Sequence, residues 1–247
     1  MWYRYQLKRA AREMLSRRYG ELFVAALVCT IISNGITMLS QIFSDLASIP
    51  VIVSQLLLYG GDAMVGILGI LWIAAIAMLL SLAVGIFLAN PMEVGSARCF
   101  LEATQDRVDF GNLFFGFSCG RYGNVVLVSL VRSLLLFLWS LLLVIPGMVM
   151  SYAYGMVPYL LAENPSLTYR QALTFSRDMT QGHKWEMFVL DLSFLGWYLL
   201  GAMACGLGVL FVNPYYYATR AELYVALRAI AIDRGILSLE QLESSGR

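Results

Sequence analysis

From Asn124 to Ala162 the chain carries one charged side chain, Arg132. A helix through that stretch, rising ~1.5 Å per residue, would be roughly twice as long as the ~30 Å hydrocarbon core of a bilayer is thick. The run is too long for one membrane span and too apolar for a small soluble core. Ile145–Pro146–Gly147 is a turn signature, and it divides the run into two spans. Three further apolar runs accompany it. The first, roughly 21–40, fits one span. The second, roughly 63–90, fits one long span that continues past Pro91, with Gly60–Gly61 read as a turn before it. The third begins at Glu186 and reaches Val212; it contains Gly201, Gly206 and Gly208 and reads as one span or as a tight hairpin. The sequence is 60% hydrophobic and 13% charged, whereas soluble domains carry about 25% charged residues. Such a chain must show much of its surface to lipid.

Basic residues choose between five and six spans. With six, the cytoplasmic pieces are about 1–19, 98–121, 163–184 and 220–247, and they hold every lysine and arginine except Arg132. The outer loops then hold Asp45 and Asp62 and no basic residue. This is the asymmetry expected of the positive-inside rule. Five spans would put Arg220, Arg228, Arg234 and Arg247 outside. The expectation is an all-α, polytopic membrane protein of six spans with both termini cytoplasmic. Residues 1–18 are too polar for the apolar part of a cleavable signal. The net charge of +1 gives no basic field for nucleic acid.

Amphipathic segments precede the spans. Residues 3–18 set Tyr3, Leu7, Ala10, Ala11, Met14 and Leu15 on one side and Arg4, Lys8, Arg9 and Arg12 largely on the other, the pattern of a helix lying in the headgroup plane. Residues 168–181 repeat it, with Thr168 and Gln171 at capping-box spacing and Gly182 as a stop. A shorter version spans 109–119, with Asp109 as N-cap. The span starts resemble one another: RYGELFVAAL (18–27), RYGNVVLVSL (121–130) and HKWEMFVLDL (183–192). The later spans end alike, in ANPMEVGSAR (89–98), MVPYLLAENP (156–165) and VNPYYYATRA (212–221), with small Gly95, Ala162 and Ala218 four residues after each proline. This organisation predicts one membrane domain: an interfacial helix at 1–19, three hairpin units at about 20–102, 109–165 and 168–232, and a polar tail at 233–247. Asn90–Pro91, Pro158 and Asn213–Pro214 are expected to bend equivalent helices, the small residue one turn on allowing close approach.

The run LLLVIPGMVMSYAYGMVPYLLAENPSLTYRQALTFSRDMTQGHKWE (141–186), followed by LDLSFLGW and FVNPYYYATRAELY, resembles the bacterial integral membrane proteins grouped as domain-of-unknown-function family 975. The likeness covers nearly the whole chain and is strongest from about 124 to 228. More weakly, the chain is similar to the membrane domain attached to some glycerophosphodiester phosphodiesterases. The resemblance implies the architecture and a bacterial cytoplasmic membrane; it implies no activity.

Little in the sequence points to catalysis. His183, the only histidine, falls in a basic span entry and reads as an interfacial residue around which no Ser/His/Asp set is assembled, and there is no Walker-type phosphate loop. Cys29, Cys99, Cys119 and Cys205 are scattered, which argues against disulfide or zinc frameworks. A non-enzyme without cofactors is expected. Lys184, Trp185, Tyr215, Tyr216 and Arg220, with Tyr169, read as an aromatic belt at the inner interface or as a groove for a lipid headgroup. Arg132 and Asp191 are the charges left inside spans. Measured from the matched span starts, their α-carbons differ in depth by only about 4–5 Å. They are therefore expected to pair, joining the second hairpin to the third. Two functions remain open. One is binding, sensing or transport of a membrane lipid or small amphiphile. The other is a scaffold that docks a protein partner through its cytoplasmic amphipathic helices.

Overall fold

The computed structural model describes the backbone of residues 3–57, 72, 75, 76, 78–80, 82–203 and 207–243. Much of the expected 63–90 span, with Gly60, Gly61 and Asp62, lies outside the described residues, as do Cys205, Gly206 and residues 244–247. The chain divides into two units, Ile31–Ala89 and the remainder, Met1–Thr30 with Asn90–Arg247. Every regular element among the described residues is helical. Among the described residues four helices are long and apolar enough to cross a membrane: Met78–Ala103, Tyr122–Leu142, Val144–Glu163 and Lys184–Met203.

Helix α1 (Arg4–Leu57) is broken at Arg18, whose backbone leaves the helical region (φ −139°, ψ 44°). The break falls where the amphipathic segment was expected to hand over to the first span. Before it, Leu7, Ala11, Met14 and Leu15 are buried in the core of the larger unit, while the basic side faces out. Beyond residue 40 the structure departs from expectation. Helix continues through Asp45 and Pro50 to Leu57, where an outer loop was expected.

In the smaller unit the described chain ends in a π-helical turn, Gly85–Ala89. Helix α2 (Asn90–Ala103) follows, with Pro91 at its second position. A 3₁₀ turn (Phe110–Phe114) and short α3 (Phe115–Ser118) pack on α2. Asp109 starts that turn, its Oδ1 accepting from Gly111 N at 2.8 Å. The approach is close enough to require glycine: a Cβ on Gly95 would fall 1.9 Å from Leu113 O, and one on Gly116 would fall 2.2 Å from Pro91 O.

Helices α4 (Tyr122–Leu142) and α5 (Val144–Ala153) pack against each other across a turn of one residue, Leu143 (φ −163°, ψ 147°). The turn therefore precedes Ile145–Pro146–Gly147. Pro146 sits in the first turn of α5, where its missing N–H has no helical acceptor to serve. Gly147 lies against Ser140, whose Oγ would be 2.8 Å from an added Cβ.

The prolines do not act alike. After α5 the helix is interrupted at Tyr154–Met156 and restarts as α6 (Val157–Glu163), with Pro158 in its first turn. Pro91 follows the π-helical turn. Pro214 lies inside α9 (Leu207–Asp233), which runs on through it. Each proline denies a hydrogen bond to the carbonyl four residues before it, and three neighbourhoods absorb the loss in three ways. The small residues are all tightly enclosed: Ala162 and Ala218 are fully buried, as Gly95 is against Leu113.

Helix α7 (Tyr169–Thr180) has the expected capping box, and Gly182 at φ +84° follows its end. Its stripe of Ala172, Leu173, Ser176, Met179 and Thr180 is buried against the rest of the chain. The apolar run that begins at Glu186 forms two helices, α8 (Lys184–Met203) and α9, in contact at Gly201 and Gly208; a Cβ on Gly208 would lie 2.5 Å from Gly201 Cα. The expected polar tail is partly tied down. Short α10 (Leu239–Glu243) buries Leu242, and Gln241 O accepts from Asn164 Nδ2 at 2.6 Å. The outward faces of α4 and α8 carry exposed Leu134, Phe137, Leu138 and Leu141, and Leu192, Leu195 and Leu199, the helical spacing of lipid-facing stripes.

Candidate functional site

Two features of the larger unit concentrate chemistry. The first is a groove of about 650 Å³ lined by Arg12, Leu15, Ser16 and Tyr19 of α1, Trp197 of α8, and Phe211, Val212 and Tyr215 of α9. Its walls are aromatic and aliphatic, and a cation stands at the rim. Arg12 Nε donates to Tyr215 Oη at 3.3 Å, and the guanidinium lies 5.8 Å from the Tyr215 ring centre. One turn earlier, Lys8 Nζ sits 4.6 Å over the Phe194 ring. Burial lowers the pKa of Lys8, and the positive charges of Arg12 and Arg4 lower it further. Cations at positions 4, 8 and 12 thus crowd one helix face, and an anion beside them would relieve the repulsion.

The second feature is a charge pair between α8 and α9. Asp191 Oδ2 and Arg220 Nη1 are 3.9 Å apart, and both side chains are mostly enclosed. That separation exceeds a direct hydrogen bond. Asp191 Oδ1 and Arg220 Nη1 are buried without a hydrogen-bond partner. Tyr152 and Tyr216 interact with the Asp191 carboxylate, and Tyr159 with the guanidinium. A Cβ on Gly155 would lie 3.6 Å from Arg220 Nη2, so the guanidinium faces the break between α5 and α6. There the terminal carbonyls of α5 and the negative end of its dipole favour a cation.

This overturns the expected pairing of Arg132 with Asp191. Arg132 Nη1 instead donates to Glu93 Oε2 of α2 at 2.8 Å, and Asp191 faces Arg220. Matched depth was not enough, because α4 turns Arg132 toward α2 and away from α8. Arg220, expected at the inner interface, faces the Asp191 carboxylate. Of the other expected interfacial residues, Tyr215 joins the groove and Tyr216 packs between Phe194, Tyr198 and Tyr217. Lys184 and Trp185 stand at the first turn of α8, Trp185 exposed and stacked on Phe188. Asn213 is a bridge: it accepts from Tyr198 Oη at 3.1 Å and donates to Thr30 Oγ1 at 2.9 Å. Asn90 and Pro91 open α2, and Pro91 is buried under Gly116.

Sequence reasoning passed over Glu93, Tyr152, Tyr159, Arg12 and Trp197 as site residues. A signal existed for Glu93, an acid two residues after Pro91 in an otherwise apolar stretch.

Residues 141–231, from the end of α4 through most of α9, match the family described as "Protein of unknown function (DUF975)". The match spans 91 of the 247 residues. Both members of the Asp191–Arg220 pair, the α5–α6 break and the α8 and α9 walls of the groove lie inside the matched residues, whereas Arg12 and Glu93 lie outside them. No curated protein and no solved structure matches the chain.

Proposed function

We propose that this is a non-enzymatic, multi-pass membrane protein that binds an anionic lipid in the groove between α1 and the α8–α9 pair. The observation that carries the reading is the groove itself, an apolar trough of about 650 Å³ with Arg12 at its rim. Its size falls within the ~300–1,000 Å³ typical of ligand sites. An acyl chain would lie along Leu15, Trp197, Phe211 and Val212. The headgroup would meet Arg12, with Lys8 and Arg4 adding attraction of about 1 kcal/mol per basic residue near a surface.

The same proposal takes the chain to have six spans in three repeated hairpins, with both termini on the cytoplasmic side of a bacterial plasma membrane. The repeat draws support from Arg18–Glu21 and His183–Glu186, side-chain pairs of 3.1 Å at matching places in the first and third span starts. Docking of a protein partner through the amphipathic helices is less favoured. The apolar stripes of α7 and of residues 7–15 are already covered by this chain.

Native mass spectrometry of the full chain, released from nanodiscs of mixed phosphatidylglycerol and phosphatidylcholine, tests the reading. Phosphatidylglycerol should be retained preferentially, and Lys8→Gln with Arg12→Gln should abolish the preference. Equal retention of the two lipids by the parent chain would reject it.

A further inference from the structure

Asp191 and Arg220 are an unusual couple for an enclosed pair between two packed helices. A structural ion pair in a low-dielectric setting is stabilised by close, bidentate contact. Here the closest approach is 3.9 Å, and each partner keeps a buried atom with no hydrogen bond: Oδ1 on Asp191 and Nη1 on Arg220. Buried polar atoms without partners are rare in folded proteins and call for an explanation. The surroundings are those of a site. The helix beside the pair is interrupted at Tyr154–Met156. Interrupted helices next to intramembrane charges are a recurrent way to hold polar ligands at depth. Tyr152 and Tyr216 interact with the carboxylate and Tyr159 with the guanidinium. The Arg220 guanidinium is already 5.8 Å from the Tyr216 ring centre.

Charge decides the class of ligand. One carboxylate and one guanidinium make a neutral pair, so a lone anion drawn to Arg220 is opposed by Asp191, and a lone cation drawn to Asp191 is opposed by Arg220. A group carrying both an ammonium and an oxyanion satisfies both ends without leaving a net charge buried. Its N–H groups donate to Asp191 Oδ1, with tyrosine rings to receive the cation, and its oxyanion accepts from Arg220 Nη1.

We propose that Asp191 and Arg220, with Tyr152 and Tyr216, form a binding site for a zwitterion that bears a primary ammonium and a phosphate or carboxylate oxygen. Two sources supply that chemistry, the headgroup of an ethanolamine phospholipid and a free soluble zwitterion. The site is separate from the groove, none of whose lining residues belongs to it.

The test uses the full chain in phosphatidylglycerol nanodiscs. In one arm phosphatidylethanolamine is doped in and the lipid retained on release is weighed by native mass spectrometry. In the other, O-phosphoethanolamine is added to undoped discs and the melting temperature is followed. Retention of about one ethanolamine lipid per chain supports a headgroup site; stabilisation by the soluble compound without that retention supports a solute site. In either case Asp191→Asn and Arg220→Gln should each weaken binding roughly tenfold, the worth of a charged hydrogen bond. Lys8→Gln with Arg12→Gln should leave it unchanged, which separates this site from the groove. If the charge variants do not insert, Tyr152→Phe combined with Tyr216→Phe removes only two hydroxyls and should weaken binding several-fold. No retention and no stabilisation, or equal binding by parent and variants, overturns the proposal and leaves the pair as a structural one.

Discussion

At the scale of single residues, burial and pairing separate the charges that matter from those that decorate. Arg17–Asp106 and Arg9–Glu13 are open to solvent, with all four side chains well over half exposed, and contribute little. Arg132 is different: its side chain is 15% exposed while that of its partner Glu93 is 46% exposed. The asymmetry has a consequence for mutation. Glu93→Leu strands an enclosed guanidinium, whereas Arg132→Leu leaves a carboxylate that reaches the surface. Glu93→Leu should therefore cost about 1–3 kcal/mol of stability and Arg132→Leu less, with the double leucine variant recovering most of the loss. Thermal unfolding of the three variants in one detergent checks this. Additive losses in the double variant would mean that the two side chains do not interact. Arg228, Glu163 and Tyr224 form a comparable knot, with Tyr224 Oη donating to Glu163 at 2.7 Å and its ring stacked on Tyr159.

At the scale of elements, close backbone contact does much of the joining. In lipid there is little hydrophobic drive to push helices together, so small residues and interhelical hydrogen bonds take over. Gly95 is the sharpest case, because the atom that an added Cβ would strike is a backbone carbonyl that cannot rotate away. Gly95→Ala should destabilise the chain by about 1–3 kcal/mol, the usual range for overpacking. Gly123→Ala is the matched control: nothing lies within 4 Å of its added Cβ, and it is also helical. There alanine should be neutral or stabilising by about 0.5–1 kcal/mol. Melting temperatures that fall equally for both would show that α2 does not pack so tightly on the 3₁₀ turn. Hydrogen bonds serve the same end elsewhere. Asn124 Nδ2 donates to the carbonyls of Pro165 and Leu167 at 2.7 and 2.8 Å, and Arg98 Nη1 to that of Ala162 at 2.6 Å, tying the start of α4 and α2 to the neighbourhood of α6.

At the scale of the whole molecule, orientation is the property most open to direct test. The proposal of six spans with both termini inside rests on the placement of every basic residue but Arg132. In intact cells a membrane-impermeant thiol reagent should label Asp62→Cys, and should reach Ser245→Cys only after permeabilisation. Labelling of Ser245→Cys from outside would reject the orientation. Phe100, Met187, Leu190, Phe194, Leu223 and Tyr224 are fully enclosed, while the helix faces at Leu138 and Leu199 are bare. Side chains left outward on those stripes are stable only where lipid or protein replaces water.

What the sequence by itself determined was one-dimensional. Helix class, the Thr168 cap, the Gly182 stop and the break near residue 18 were all legible, since each depends on residues close together along the chain. Direction around each helix was not. Arg132 and Asp191 lie at similar expected heights, yet α4 presents the arginine to Glu93 and α8 presents the aspartate to Arg220. Only packing sets that rotation. Prolines told the same story: all three withhold a hydrogen bond, and the neighbours decided whether the helix would widen into a π turn, restart, or carry straight on. The groove and the buried pair exist because α1, α5, α8 and α9 meet, and side chains more than a hundred residues apart share a site only once the tertiary structure has folded them together.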